Sequence, residues 1–462
     1  MDKIIFLILP NQLFDIRYFD KKFKYILWEC PHFLTDYNYN KKKLLLHRAS
    51  MRYQYDLMKS QGYTITYLEF NKKLPTQAQT RSHTQLIYML YYPINKADTL
   101  RLPKNTIIYE KNSPNLLLSN TLIEKYRKKT DKFFFNAFYM WAKKELNIIP
   151  NIKSQDKFNR QKPKASDKSD ISQPYDAENR KKIISNISLK YIEEAKIYIE
   201  KNFKNNCGNT NTNAGFIYPI TRHDALLWLE HFIKYKLKNF GNYQDYIDKD
   251  DKHLNHSLLS ALINIGLINP CDIIDILESH RLSAKSSIPI QMNSYEGFIR
   301  QLFWREYQRL CYLYVDFSKN YFGNTKKLTD EWYSGSTGIL PVDDCIREAF
   351  DTGYLHHIKR LMVIGNYMNL CYISPREGFR WFMEFSCDSY EWVMYQNVYD
   401  MVFFSTGGKT MRRPYISSSN YILNMSNYPK DKWCEIWNDK YKKFIEKNRN
   451  KLWKYRYYVA LK

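Results

Sequence analysis

The sequence predicts a doubly wound α/β domain followed by an all-α domain, and three observations carry that prediction. Over roughly the first 130 residues, short apolar or β-branched runs at 4–9, 25–28, 63–68 and 106–109 alternate with amphipathic stretches. From 151 to about 180 the chain turns polar and charged and loses apolar periodicity, as an interdomain linker does. After Phe216 nearly everything repeats with helical period and short breaks. The expected units are therefore 1–135, a sheet domain; 136–215, a linker with helices and irregular loops; and 216–462, an all-α domain.

The elements follow in order. The run at 4–9 has a strand's length and meets Pro10. The stretch 44–59 is an amphipathic helix that ends at Gly62. No G-x-G-x-x-G follows the first strand, so this domain offers no dinucleotide fingerprint. The Lys41–Lys43 run reads by itself as a solvated basic loop, and the Asn-rich patch 205–215 as a low-complexity loop. The clearest later helices are expected at 254–268, 296–311, 342–350 and 354–371. Gly335 and Gly338 suit a tight turn, and Asp343 and Asp344 suit the positive end of the helix after it. Gly353 stops that helix. The next carries His356, His357 and Arg360 within little more than one turn.

Composition narrows the class. No transmembrane run is present, and the short apolar start has no small-residue cleavage site behind it, so a soluble intracellular protein without membrane partners is expected. The eight cysteines show no C-x-x-C pair, which argues against a disulfide framework or a zinc site. A net charge of +24 with 16% aromatic residues suits a polyanion held by phosphate contacts and base stacking.

The segment GSTGILPVDDCIREAFDTGYLHHIKRLMV, at 335–363, resembles the flavin-binding core of the photolyase/cryptochrome family, with Pro341 one position late and Leu340 in its place. LPNQLF, WECPHF, KKKLLLHRASMR and PYDAENRKK resemble the prokaryotic branch of that family that carries an iron–sulfur cluster. The resemblance covers nearly the full chain and is strongest over 240–428. It implies the photolyase/cryptochrome fold, with an antenna-type domain at 1–135 and an FAD-binding catalytic domain at 216–462. It also implies a monomeric DNA photolyase, a carbon–carbon lyase acting on UV-damaged DNA with light and reduced FAD. A (6-4) photolyase is the first reading; a cyclobutane-dimer photolyase or a cryptochrome-like blue-light receptor without repair activity are the alternatives.

The resemblance also implies site residues. FGNYQDYIDKDDKHLNHSLLSALINIGLI is similar to the segment that cradles the flavin phosphates, with Ser257, Leu258, Leu259 and Ser260 in place and Tyr243 nearby. In EGFIRQLFWREYQR, Gln301 stands where better-known photolyases carry Glu, Arg305 serves the flavin and Trp304 faces the lesion. Arg360 and Asn397 complete the cofactor set. Alone, N-H-S-L-L-S marks only a helix start, and W-R-E only an aromatic and ion-pairing stripe. His357 occupies the position where dimer-splitting enzymes carry Asn and (6-4) enzymes carry His. Moving an oxygen substituent between two bases needs general acid–base help, which cyclobutane cleavage does not. His356 then places or tunes His357, and Leu361 stands where eukaryotic (6-4) enzymes have a second His. Trp381 matches the flavin-proximal electron donor. The two later relay positions fall on Phe382 and Tyr333; since Phe is not a redox relay, Trp332 or Tyr390 offers another path. Trp392, Met401 and Tyr415 match lesion- or DNA-binding positions.

Two departures stand out. The branch's cluster cysteines fall in register on Pro341, Pro429 and Lys432, with only Cys434 nearby and Cys345 four residues late, so no iron–sulfur cluster is expected. A ribolumazine-type antenna is left open, since Phe33 and His47 would line its site near Glu29.

Overall fold

The computed structural model describes residues 3–76, 86–110, 112–149, 153–163, 183–211, 218–282 and 290–455. Most of the polar stretch 151–180, the PYDAENRKK segment and the end of the 205–215 loop lie outside the described residues.

Five strands form one parallel sheet: β1 (Lys3–Ile8), β2 (Lys24–Trp28), β3 (Thr64–Leu68), β4 (Leu86–Leu90) and β5 (Thr106–Ile108). Their order is β3-β2-β1-β4-β5, so the sheet grows outward on both sides of β1, as in a doubly wound fold. Phe6, Leu7 and Ile8 of β1 are buried at its centre. Four of the strands match the expected runs. The fourth, LIYML, was not anticipated, because a short apolar run does not by itself distinguish strand from buried helix.

Helix α1 (Lys41–Ser60) starts three residues before the amphipathic pattern because the Asn40 side chain accepts from Lys42 N at 2.9 Å and caps it. Gly62, at φ 84°, turns the chain beyond its end. The lysines that open α1 are not solvated. Lys42 and Lys43 are buried, and Lys43 Nζ donates to Ser389 O at 2.5 Å while lying over the rings of Tyr39 and Tyr390. Burial lowers the Lys43 pKa to about 7. Arg48 then joins Glu29, just after β2 (2.8 Å), to Glu194 (2.6 Å) on α2 (Asn186–Asn202), which packs along α1.

From residue 218 onward the regular structure among the described residues is helical, joined by loops and two isolated bridges. The expected helix at 254–268 contracts to α3 (Ser260–Ile265), because Leu254 and Leu258 take left-handed φ values of 47° and 57° before it and Gly266 ends it at φ 91°. The long α4 (Met292–Tyr314) is tied to the loop after the sheet by buried Glu306, which accepts from Leu117 N and Leu118 N at 3.0 and 3.1 Å. Before α5 (Leu340–Thr352), the Asp343 carboxylate accepts from Thr337 N (2.7 Å) and Gly338 N (3.0 Å), while Gly335 and Gly338 have φ 69° and 79°. Gly353 stops α5 at φ 68°, as expected. The next helix begins at His357 rather than Tyr354. Its residues Lys359–Gly365 wind as a π-helix, as do Tyr395–Val402, a distortion frequent at functional sites. Helix α6 (Pro375–Phe385) carries Trp381. Among the described residues no helix is long and apolar enough to cross a membrane.

Candidate functional site

Asp388, just beyond α6, gathers side chains from three segments. Arg360 donates from Nη1 to Oδ1 (2.9 Å) and from Nη2 to Oδ2 (3.3 Å), and Ser260 Oγ donates to Oδ2 at 2.7 Å. Burial alone would push the carboxyl up, but the Arg360 charge and the bonds from Arg360, Ser260 and Ser386 hold it below its ordinary range. Asn264 of α3 donates to Asp388 O at 2.8 Å and accepts from Arg305 Nε of α4 at 3.1 Å. Arg305 also donates to Asn115 O at 2.5 Å and lies 4.7 Å over the Trp392 ring. Its remaining Nη2 is buried without a partner, and burial lowers the guanidinium pKa to about 10.

A second group sits at the end of α5. His256, His356 and His357 come together from segments a hundred residues apart. The His256 and His356 rings stack at 4.9 Å and 16°, with His357 5.6 and 6.0 Å from them, edge to face. His256 and His356 are buried, and burial, with the charges of neighbouring histidines and lysines, drives both pKa values well below 6.5. Each has a buried Nε2 without a partner. His357 differs: its side chain is 48% exposed, and Nε2 lies 3.1 Å from Oδ1 of Asp245. Part-buried Tyr415 has Arg413, Asp245, Arg160 and Arg300 as charged neighbours, and so shares Asp245 with the exposed imidazole.

The expected cofactor residues divide. Ser260, Arg360 and Arg305 converge through Asp388 and Asn264. Ser257 O accepts from Trp228 Nε1 (2.8 Å), Leu258 holds its left-handed turn, and Leu259 is buried behind them. Tyr243 sits in a small separate cluster with Leu254. Gln301 is exposed and reaches Gln244 at 3.4 Å, and Asn397 Nδ2 turns back onto Val393 O. Of the expected lesion residues, Tyr415 and Met401 are part-buried. Trp304 packs 4.2 Å from Phe135, and Trp392 is fully covered beneath Arg305.

Trp381 is buried and donates from Nε1 to Trp332 O at 2.7 Å. Its ring contacts Phe350 and Phe385 at 5.6 and 4.7 Å, and Arg360 covers Phe385 at 5.3 Å. Tyr333 stands beyond Phe350 at 5.5 Å and donates to Glu384 Oε2 at 2.9 Å. Tyr390 is instead bonded to His47 Nε2 at 2.7 Å. Near the expected antenna position, Glu29 is bonded by Arg48, Tyr67 and Tyr198, so its carboxylate is occupied.

Two surface cavities lie away from Asp388 and the histidines. One of about 300 Å³ is lined by Trp332, Lys326 and Lys440, and one of about 750 Å³ by Tyr395, Tyr399 and Arg376. The Asp388 side chains close on one another instead. Arg305 Nη2 is nevertheless a buried cationic donor without an acceptor, which suits a polar, anionic group from outside the chain.

Sequence reasoning missed Asp388, Asp245 and His256. Asp245 and His256 lie inside the segment read as the flavin-phosphate cradle, and Asp388 lies between Trp381 and Trp392, which were read for other reasons.

Residues 6–214 match the family model described as deoxyribodipyrimidine photo-lyase-related protein, and residues 298–457 match the FAD-binding domain of DNA photolyase. The chain belongs to the photolyase-related family. It is 40% identical over 271 residues to the (6-4) photolyase of Agrobacterium fabrum, a match covering 55% of this chain and 52% of that protein. The match thus spans about half the length of that relative. An uncharacterized protein of Acanthamoeba polyphaga mimivirus is 45% identical over 114 residues, 24% of this chain and 85% of its own length. Among solved structures, a class III photolyase from Agrobacterium tumefaciens superposes with a TM-score of 0.53 at 15% identity, covering 92% of this chain and 86% of the other. A cryptochrome of Synechocystis gives 0.56 at 15%, covering 96% and 93%. These likenesses establish the fold.

Proposed function

We propose that this chain is a light-driven DNA repair enzyme of (6-4) specificity, a monomer acting on UV-damaged DNA with FAD held by the helical region 216–462. One observation carries the specificity: a half-exposed imidazole, His357, is held by Asp245 where an acid–base group can meet substrate. FAD supplies the light-driven electron when bound. The chain's own residues do the rest. Arg305, Ser257–Ser260 and Arg360 hold the cofactor, with Tyr243, Gln301 and Asn397 around it. Asp388 fixes Arg360 and Ser260 relative to each other. With Nε2 of His357 turned to Asp245, Nδ1 is the atom left to exchange a proton with the adduct. His356 backs that ring. Tyr415, Met401 and Trp304 border the lesion side, and Arg160, Arg300 and Arg413 meet phosphates.

Trp381 and Tyr333 serve electron delivery, with Glu384 able to take the Tyr333 proton; Trp332 or Tyr390 is the other path. No iron–sulfur cluster is part of this reading, because two of the positions in register are proline and one lysine. A ribolumazine-type antenna is left open: Glu29 and His47 Nε2 have partners, while buried His47 Nδ1 has none. The test is illumination of the purified holoprotein with DNA containing one defined lesion. Reversal of (6-4) adducts supports the reading; reversal of cyclobutane dimers alone, or of neither lesion, overturns it.

A further inference from the structure

The histidine group has chemistry that acid–base work on a lesion does not use. One ring nitrogen from each of His256, His356 and His357 lies within 4.8 Å of the others. Two of the three are buried imidazoles whose Nε2 atoms have no partner at all. Leaving two buried ring nitrogens unmet is costly unless a ligand meets them. The third ring is already oriented: the carboxylate of Asp245 takes Nε2 of His357, which leaves Nδ1 as its ligand atom. Carboxylate–imidazole–metal arrangements are built this way, the second-shell acid fixing tautomer and ring direction.

We propose that His256, His356 and His357 bind one divalent transition-metal ion of the zinc, cobalt or nickel class. Neutral imidazole is the ligand form, and buried His256 and His356 are neutral at ordinary pH. Metal–nitrogen bonds of about 2.0–2.1 Å in a tetrahedral site place ligand atoms roughly 3.4 Å apart, so the nitrogens must close by up to about 1.4 Å and the stacked His256 and His356 rings must turn until both ring planes meet at the ion. Ligation through Nε2 of His356 also costs the long 3.3 Å contact that Ile358 N makes to its Nδ1. Lys236 and Lys359 lie near the rings and oppose a cation, though Lys359 is paired with Glu348 at 2.7 Å and Lys236 Nζ is turned to Leu254 O. Three imidazoles leave a fourth position for water or another ligand, and the exposed face of His357 is the way in. An ion here takes Nδ1 of His357, the atom the proposed repair chemistry uses, so metal and repair exclude each other if that reading holds.

The test uses tag-free protein, stripped with a chelator and kept in the dark without DNA, titrated with Co²⁺ by calorimetry and followed by the cobalt EPR spectrum. One ion per chain is expected, with His357→Ala and His256→Ala each weakening binding at least about tenfold and Asp245→Asn by about 10- to 100-fold. His357 is exposed, so its variant decides the matter if His256→Ala fails to fold by circular dichroism. No saturable uptake, or uptake unchanged in His357→Ala, overturns the site. Neither light nor lesion enters the measurement, so its failure leaves the repair reading standing.

Discussion

His357 Nε2 lies 3.1 Å from Asp245 Oδ1, joining the start of the helix after Gly353 to a loop 112 residues earlier. The pair gives an otherwise mobile surface imidazole a defined direction. Asp245→Asn should therefore lower (6-4) repair by roughly 10- to 150-fold, the equivalent of a charge-assisted hydrogen bond worth about 1.5–3 kcal/mol. Asp245→Glu should restore part of it. Single-turnover repair under saturating light reads this directly, and an unchanged rate removes Asp245 from the account.

The Arg360–Asp388 pair is mostly buried and bidentate. Asp388→Ala leaves the guanidinium without its counter-charge, and stability should fall by about 3–5 kcal/mol. Urea unfolding measures this; a loss below about 1 kcal/mol would show that Arg360 finds another partner.

Buried histidines set a pH dependence. Burial lowers His47 and His253 to about 3 and takes His256 and His356 well below 6.5. Each binds fewer protons folded than unfolded, so their stabilisation is complete above about pH 6.5 and is lost as pH falls from there toward 3. Ordinary carboxylates contribute only below about pH 5, and buried Lys43, lowered to about 7, contributes above the histidine window, so the loss between about pH 6.5 and 5 identifies the imidazoles. A urea midpoint that holds constant between about pH 8 and 5.5 contradicts this.

DNA binding should weaken steeply with salt, as expected for a chain of net charge +24. Arg413, exposed beside Tyr415, is one phosphate contact of the proposed interface. Arg413→Ala should reduce the slope of log affinity against log salt by about 1. Fluorescence anisotropy over a salt series checks it, and an identical slope argues against contact there.

Iron content should separate this chain from the cluster-bearing branch it resembles. Pro341, Pro429 and Lys432 offer no thiolate, and Cys345 and Cys434 are both buried. Purified protein should carry iron well below stoichiometric amounts, and a full cluster by elemental analysis would overturn the register.

Much of the fold was legible because local chemistry and tertiary structure agree. Gly335, Gly338 and Gly353 sit at positive φ where the turns were expected, and four of five strands follow their apolar runs. Disagreement arises where distant segments decide. Lys43 reads as a solvated charge, but Ser389 O, 346 residues away, gives it a buried acceptor. His256 reads as part of a helix start because nothing local announces that His356 will stack on it. Asp388 hides among aromatics whose spacing drew attention to electron transfer. The helix after Gly353 starts late and winds as a π-helix, a distortion that periodicity does not signal.

The central claim is that His357 supplies the proton that makes this a (6-4) enzyme. The most direct test compares wild type and His357→Ala on DNA bearing a single (6-4) adduct under saturating blue light. Because the side chain is half exposed, the variant should fold, bind FAD and bind damaged DNA as wild type does. Its repair rate should fall by roughly 10²- to 10⁴-fold, the range general acid–base catalysis supplies. A variant that repairs the adduct at the wild-type rate, or a wild type that repairs only cyclobutane dimers, would contradict the account.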